Sequence, residues 1–231
     1  MSDAGGDECR EGEKRIVEGF SARLRRALGE PLTNWREVYE SFAPIDLETG
    51  ERRPRVPEPE ENYRRAAVLM PIAFSLEGAR IVYTLRKDHL TDHGGQVSFP
   101  GGTSEPDDES LLETALREAE EEVNLGPDLV EVVGELEEMY IPPSRFLVSP
   151  FVGLLSRETE LSLAPEEVEA VFSVSLEELM SPEVLEKVVW ERDGSLYEVP
   201  IFAVGGYEIW GATAAMTAGL LARLGWKGRA A

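Results

Sequence analysis

The chain has 231 residues and carries 45 acidic against 23 basic side chains, a formal net charge of −22 at neutral pH. Such an acidic chain disfavours a nucleic-acid or anionic membrane surface, because both require basic patches. Its length and its 42% hydrophobic content fit a globular protein with a full core. No segment approaches the roughly 18–20 consecutive apolar residues of a membrane span. The single cysteine, Cys9, allows no internal disulfide and favours the cytoplasm as the compartment.

The first part of the chain is expected to be helical and then extended. Apolar residues recur every four positions over 16–28, which predicts an amphipathic helix, and a second short helix is expected over 34–42. A stretch rich in proline and charge follows over 44–61 and is typical of a connector. We therefore predict an N-terminal helical extension with its connector over residues 1–61 and the main domain over residues 62–231.

The remainder alternates apolar runs with turn signals and helical patterns. Hairpin turns are expected at 76–78 and around Asp193 and Gly194. Strands are predicted over 66–74, 79–85, 96–99, 129–136, 149–155, 168–174, 188–190 and 196–201, and helices over 108–123, 176–180 and 211–224. Because helices precede, separate and follow the strands, we predict an α/β fold with helices on both faces of a mixed sheet, an α/β/α sandwich.

One stretch, residues 101–125, concentrates the candidate chemistry. Its sequence GGTSEPDDESLLETALREAEEEVNL continues a Pro-Gly-Gly turn, and apolar residues at three- and four-residue spacings predict a helix over 108–123. Asp107 or Asp108 is expected to cap the start of that helix, and Asn124 is expected to end it in left-handed geometry.

Three glutamates of that helix, Glu118, Glu121 and Glu122, share one face, since residues three and four positions apart are neighbours. Three like charges repel one another, and a hard divalent cation relieves the repulsion by taking carboxylate oxygens as ligands. A solvated acidic face is the alternative interpretation. The preceding glycines favour a metal site, because Gly101 and Gly102 let backbone groups approach a ligand closely.

The stretch resembles the Nudix box, G-x5-E-x7-R-E-U-x-E-E-x-G-U, in which U is apolar. The residues in register are Glu109, Arg117, Glu118, Ala119, Glu121, Glu122 and Leu125. Two positions depart from the pattern: the loop between Gly102 and Glu109 carries one extra residue, and Asn124 replaces the final glycine. The resemblance implies a Nudix-type sandwich and a metal-dependent hydrolase that cleaves a pyrophosphate linkage.

The resemblance also implies roles for the box residues. The expected ligands of Mg²⁺ or Mn²⁺ are Glu118, Glu121, Glu122 and the carbonyl of Gly101 or Gly102. Arg117 and Glu109 are eight residues apart, about two helical turns, and we expect their pairing to orient the carboxylates. The general base is expected to be Glu121 or a glutamate outside the box. The candidates outside the box are Glu135, Glu137, Glu138, Glu166 and Glu167.

The segments around the box resemble bacterial coenzyme A pyrophosphatases of this superfamily, which show L-L-T-x-R-(S/A)-x3-R-x3-G-x3-F-P-G-G at this place. The matching positions are Thr84, Arg86, Gly95, Phe99, Pro100, Gly101 and Gly102, with further similarity over 148–153 and 209–214. Thr91 replaces the second arginine of the pattern, and Lys87 stands at its Ser/Ala position. We predict Arg86 and Lys87 as substrate-binding residues, together with Gly101 and Gly102.

The resemblance implies coenzyme A or a derivative as substrate, cleaved into adenosine 3′,5′-bisphosphate and 4′-phosphopantetheine. Thr91 keeps a second substrate class open: another nucleoside diphosphate derivative such as an ADP-sugar, a dinucleotide or NADH. A non-catalytic Nudix-like module that binds a nucleotide is a third hypothesis, which the intact box carboxylates disfavour. The expected partner is therefore a small molecule of the nucleoside diphosphate type. The oligomeric state stays open, with a homodimer as one candidate.

Overall fold

A computed structural model describes residues 4–52, 56–57, 62–75, 78–87, 95–155, 159, 161–163, 167–192 and 194–228. The helices of this part are α1 (Ala4–Gly29), α2 (Trp35–Ser41), α3 (Leu111–Val123), α4 (Leu176–Met180) and α5 (Gly211–Arg223). Its strands are β1 (Ile45–Asp46), β2 (Arg64–Ser75), β3 (Gly78–Arg86), β4 (Val97–Ser98), β5 (Gly101–Thr103), β6 (Val130–Glu135), β7 (Met139–Ile141), β8 (Phe146–Leu155), β9 (Val168–Ser175), β10 (Leu185–Arg192), β11 (Ser195–Val204) and β12 (Tyr207–Trp210). Among the described residues, no helix combines the length and the apolar character that a membrane crossing requires.

The larger sheet has eight strands in the order β4-β3-β2-β8-β6, with β5 paired to β2, β7 to β8 and β9 to β3. β2 and β8 run parallel, whereas the other pairs are antiparallel, so the sheet is mixed as predicted. Side chains alternate along a strand, and on β2 Ala67 and Leu69 pack towards α3. Met70 and Ile72 face the main core, which also holds residues of α1, α2 and α5. Helices therefore cover both faces, and the predicted α/β/α sandwich is confirmed.

The smaller sheet contains β1, β11 and β10 in that order, with β12 on the other part of β11. It includes the predicted second hairpin, in which Arg192 pairs with Ser195. Gly194 of its turn has a φ of +82°, a conformation that favours glycine, while Asp193 lies outside the described residues. β12 runs directly into α5, and the Thr213 hydroxyl of α5 donates to a β4 carbonyl at 2.9 Å. This junction brings the smaller sheet next to the end of the larger one.

The turn predicted at 76–78 lies only partly within the described residues. Leu76 and Glu77 are outside them. The flanking strands β2 and β3 pair antiparallel up to Ser75 and Gly78, so the two predicted strands are confirmed as antiparallel neighbours.

The N-terminal helices share the core of the main domain. α1 begins well before the predicted start at 16. Leu24 of α1 and Tyr39 of α2 are fully buried. The Tyr39 ring lies against Gly219 of α5, where a Cβ atom would sit 2.7 Å from Cε1, and its hydroxyl donates to a carbonyl between β6 and β7 at 2.9 Å. The extension is therefore packed into the fold, and the boundary at residue 61 stays a prediction.

α3 begins at Leu111 rather than at 108. Ser110 is its N-cap, and the Ser110 hydroxyl accepts the Glu113 N–H at 3.2 Å. The Glu113 carboxylate in turn accepts the N–H of Glu109 at 2.6 Å. This arrangement resembles a capping box, in which two side chains satisfy backbone donors at the helix start.

The expectation that Asp107 or Asp108 caps α3 is therefore wrong. Asp108 turns inward instead, because Thr114 and Arg117 donate hydrogen bonds to its carboxylate. At the other end Asn124 has φ 56° and ψ 36°, which confirms the predicted left-handed ending. The predicted apolar stripe is represented by the buried residues Ala115, Ala119 and Val123.

Candidate active site

The three glutamates predicted to share a face of α3 differ in exposure. The side chains of Glu122, Glu118 and Glu121 are 3%, 17% and 60% exposed, respectively. Glu121 accepts a hydrogen bond from Arg117 at 3.2 Å near the solvent. Within the described part of the chain, no three His, Cys, Asp or Glu side chains are grouped so as to hold a metal ion. The expected convergence of three carboxylates is thus not observed, and two carboxylates form the buried centre.

Glu122 is held between a charged donor and a backbone donor. Arg86 Nη1 donates to Glu122 Oε1 at 3.0 Å, and the Gly101 N–H donates to Oε2 at 3.3 Å. The pKa of Glu122 is raised to about 7, chiefly because burial disfavours the charged carboxylate. Arg86 and the Gly101 N–H oppose this rise, while the negative charges of Glu118 and Glu167 add to it. Further positive charge at this place would therefore stabilise the ionised form.

Gly102 makes room for Glu118. A Cβ atom on Gly102 would lie 2.4 Å from Glu118 Oε1, so a larger residue would displace the carboxylate. A Cβ atom on Gly101 would lie 2.4 Å from the Ala67 carbonyl oxygen, because β5 pairs closely with β2. Burial also raises the pKa of Glu118, against the opposing effect of Arg117. Gly102 thus leaves space for the Glu118 carboxylate, and Gly101 leaves space for the neighbouring strand β2. The contacts that their backbone groups are expected to make with a ligand stay predictions.

Arg117 is fixed by Asp108 and not by Glu109. Its Nε and Nη2 atoms donate to the two Asp108 carboxylate oxygens at 3.0 and 3.2 Å. Nη1 donates to Glu118 Oε1 at 3.0 Å, and Nη2 also donates to the Thr103 carbonyl at 3.2 Å. Glu109 is exposed, and in the described part of the chain Arg117 makes no hydrogen bond to it. The predicted pairing of Arg117 with Glu109 is therefore wrong.

The extra loop residue explains why Arg117 binds Asp108 and not Glu109. Glu109 has the box spacing to Arg117, whereas Asp108 has the box spacing to Gly102, so the sequence pattern fits either residue. Since α3 begins only at Leu111, Glu109 lies exposed just before the N-cap Ser110, and Asp108 is the carboxylate that points inward. Arg117, with help from neighbouring donors, holds the pKa of the Asp108 carboxyl well below its usual range. The Gly102-x5-Asp108 spacing is the signal that could have identified this residue.

Glu167 is the outside glutamate whose charge acts on the site. It raises the pKa of both buried carboxylates of α3. Glu137 and Glu138 are each paired with an arginine elsewhere, and Glu135 is exposed on β6. Glu166 lies outside the described residues. Glu167 is thus the candidate base outside the box that has a described electrostatic link to the site.

A cavity of about 570 Å³ opens beside these residues. Gly101, Gly102 and Arg86 form part of its wall, and the first turn of α5 forms another part. Its size suits a small-molecule site. Among its described lining residues the charged ones are all arginines, with no Asp or Glu: they are Arg64, Arg86 and Arg192. The start of α5 has no acidic residue in its first turn, so its N–H groups also favour anions.

The predicted substrate-binding residue Lys87 is not among the described residues that line this cavity. Its N–H donates to the Glu167 carbonyl at 3.0 Å. Thr91 lies outside the described residues. Conversely, sequence reasoning missed Arg64 and Arg192, because nothing in the local sequence of either residue indicates that the fold brings them to one cavity.

The NUDIX domain model matches residues 63–198 of the chain. The chain therefore belongs to the Nudix family of hydrolases, which act on pyrophosphate bonds. Members of the family generally use divalent metal ions such as Mg²⁺ or Mn²⁺. Over 151 residues the chain is 41% identical to the uncharacterised Nudix hydrolase NudL of Yersinia pestis (strain Pestoides F). The matched segment covers 65% of this chain and 75% of NudL.

Solved structures with a similar backbone fold include a MutT protein and a MutT/nudix family protein. The MutT protein of Methanosarcina mazei is 22% identical, with 53% of this chain and 84% of that chain covered and a TM-score of 0.43. A MutT/nudix family protein of Enterococcus faecalis is 14% identical, with 74% and 70% covered and a TM-score of 0.46. These structural similarities say nothing about the substrate of this chain.

Proposed function

We propose that this Nudix hydrolase cleaves the pyrophosphate linkage of coenzyme A or its derivatives with the help of Mg²⁺ or Mn²⁺. The proposal rests on one observation above all. The three segments that resemble coenzyme A pyrophosphatases, over 84–102, 148–153 and 209–214, all contribute residues to the same cavity. These segments are distant in sequence, so their shared wall supports a shared ligand.

Glu118 and Glu122 fit a divalent cation. Both carboxylates are withdrawn from water, and burial raises the pKa of each by disfavouring the charged form, which Arg86 at Glu122 and Arg117 at Glu118 only partly oppose. A bound cation would supply further positive charge that stabilises both ionised carboxylates. We infer that these two residues would hold the ion, and the resemblance adds Glu121 and the Gly102 carbonyl as further ligands. When bound, such an ion lowers the pKa of water and neutralises charge that develops on phosphorus and on the leaving group.

Other residues of the chain orient the two carboxylates and accept the proton of the attacking water. Arg117 fixes the orientation of Glu118, and Arg86 fixes that of Glu122 while it also lines the cavity. We assign Glu167 as the base that takes a proton from the attacking water, with Glu121 as the alternative. The water oxygen forms a bond to phosphorus, the anhydride P–O bond breaks, and the leaving phosphate oxygen keeps the electron pair. With coenzyme A the products are adenosine 3′,5′-bisphosphate and 4′-phosphopantetheine.

A substrate panel tests this proposal. Coenzyme A, ADP-ribose, NADH and a diadenosine polyphosphate are each incubated with the full chain and Mg²⁺ or Mn²⁺, and products are separated by chromatography. We expect the highest kcat/KM with coenzyme A and no turnover in a chelator. A preference for ADP-ribose or NADH would assign the chain to the alternative substrate class. The absence of hydrolysis across the panel with either metal would support a non-catalytic nucleotide-binding module.

Compartment and assembly stay predictions. The single cysteine, Cys9, is the basis for expecting a reducing cytoplasm. A homodimer remains one candidate assembly. Sedimentation equilibrium distinguishes it from a monomer of 25.6 kDa.

A further inference from the structure

The charged residues that line the cavity are positive, whereas the chain as a whole is strongly negative. The protein carries 45 acidic and 23 basic residues, yet the charged residues among the described cavity lining are three arginines. Arg86 is bound to Glu122 at the catalytic end. Arg64 and Arg192 bring two further positive charges that cleavage of the pyrophosphate, as described above, does not use.

Arg64 is held in place by its neighbours. It begins β2 directly opposite Phe146 of β8, and its guanidinium carbon lies 4.1 Å from the centre of the Phe146 ring. Its Nη2 donates to the Ser144 carbonyl at 3.4 Å. Phe146 and Ser144 both line the cavity. Stacking on an aromatic ring orients the planar guanidinium and leaves its edge available for an anion.

Arg192 is brought to the cavity by the hairpin of β10 and β11. It ends β10, where it pairs with Ser195. Trp190, two positions earlier, points to the same side of the strand and packs edge-on against Trp210 with ring centres 4.6 Å apart. Trp210 itself lines the cavity. The Trp–Trp contact therefore fixes the hairpin against the cavity wall and, with it, the position of Arg192.

We propose that Arg64 and Arg192 form a subsite for a phosphomonoester that the substrate carries outside the pyrophosphate to be cleaved. Such a group bears about −1.5 to −2 charges at neutral pH and offers three acceptor oxygens, and guanidinium groups bind phosphate oxygens by charge-assisted hydrogen bonds. Coenzyme A carries such a group at its ribose 3′ position, as the product adenosine 3′,5′-bisphosphate shows. This inference rests on the proposed function and adds the reason why coenzyme A is preferred to substrates without that group.

The kinetic test compares coenzyme A with 3′-dephospho-coenzyme A in wild type, Arg64→Gln and Arg192→Gln. Lys187→Gln is the matched control, because Lys187 is an exposed cation on the same strand as Arg192 and lies away from the described cavity lining. Each arginine substitution is expected to lower kcat/KM for coenzyme A by about 10- to 100-fold, the effect of losing a hydrogen bond between charged groups. The values for the dephospho substrate should change by less than about threefold.

A binding measurement tests the same subsite without turnover. Wild type should bind adenosine 3′,5′-bisphosphate more tightly than adenosine 5′-monophosphate in calorimetry, and both arginine variants should lose that difference while Lys187→Gln keeps it. Equal losses for both substrates and both nucleotides would overturn the subsite, because the arginines would then act on a group that both ligands share. If wild type cleaves coenzyme A and its dephospho form equally well, the subsite fails while the proposed function stands. If wild type does not cleave coenzyme A, the proposed function fails, and the two nucleotide affinities still decide the subsite.

Discussion

Replacing Asp108 by asparagine perturbs the contact that holds Arg117 and, through it, Glu118. The substitution keeps the side-chain shape but removes its charge. The hydrogen bonds that Asp108 accepts come from Arg117 Nε at 3.0 Å, Arg117 Nη2 at 3.2 Å, Thr114 Oγ1 at 2.8 Å and the Glu105 N–H at 2.9 Å. The Asp108 side chain is 4% exposed and that of Arg117 is 23% exposed, so water screens the pair only in part.

The expected losses follow from these contacts. A hydrogen bond to a charged group contributes about 1.5–3 kcal/mol, and an asparagine amide can keep some of the bonds that Asp108 accepts. We therefore expect Asp108→Asn to lower the free energy of unfolding by about 2–3 kcal/mol, or Tm by about 4–12 °C for a chain of this size. Because Glu118 loses the fixed partner of its carboxylate, kcat should fall by about 10- to 100-fold.

Glu109→Gln is the matched control, since it makes the same charge change at the adjacent, exposed position. Its free energy of unfolding should stay within about 0.5 kcal/mol of wild type, and its kcat should be unchanged. Thermal melts followed by circular dichroism and initial rates of coenzyme A hydrolysis supply both values. If Glu109→Gln lost more stability and more kcat than Asp108→Asn, the assignment of Asp108 as the partner of Arg117 would be refuted. The pairing of Arg117 with Glu109 that the box pattern suggests would then be restored.

The pH dependence of stability gives a second signature of the same residue. The folded-state pKa of Asp108 lies below its ordinary value, so its stabilising contribution is present above a pH of about 4. That contribution is lost as the pH falls through the lower folded-state value. The difference in unfolding free energy between wild type and Asp108→Asn should therefore shrink below about pH 4. A difference that is constant with pH would show that charge is not its cause.

Two further predictions concern the buried carboxylates. In metal-free protein the folded-state pKa of Glu122, about 7, exceeds the ordinary glutamate value of 4.5, so the free energy of unfolding should fall by about 3 kcal/mol as the pH rises through that window. Denaturant titrations in a chelator measure this slope, which Glu122→Gln should remove. Gly102→Ala places a Cβ atom 2.4 Å from Glu118 Oε1 and should lower kcat by about 100-fold. Gly19→Ala is its control, because a Cβ atom there has no neighbour within 4 Å, and unchanged kcat in both variants would contradict the close contact.

Periodicity and turn chemistry predicted most of the fold. Continuous apolar runs bounded by a turn identified β2 and β3, and the stripe containing Ala115 and Ala119 identified the buried side of α3, since both patterns are local. Asn124 ended the helix as expected because few residues adopt its left-handed conformation. These features depend on neighbours along the chain, which the sequence displays directly.

The parts that were missed depend on contacts between distant elements. Helical spacing places Glu121 beside the other two glutamates but does not reveal how α3 is rotated on the sheet, which leaves Glu121 exposed. The choice between Asp108 and Glu109 turned on the start of α3, and helix boundaries are the least certain feature of a sequence pattern. Arg64 and Arg192 meet one cavity only because two sheets pack together, and no local signal marks either residue.

The metal dependence of coenzyme A hydrolysis in Glu118→Gln and Glu122→Gln tests the proposed centre most directly. Glu120→Gln is the control on the same helix, because Glu120 is exposed and stands outside the proposed site. We expect each site variant to lose on the order of 10²–10⁴ in kcat and to bind Mn²⁺ more weakly in calorimetry, while Glu120→Gln behaves like wild type. Full metal-dependent turnover in both site variants would contradict a hydrolytic centre built on these two carboxylates.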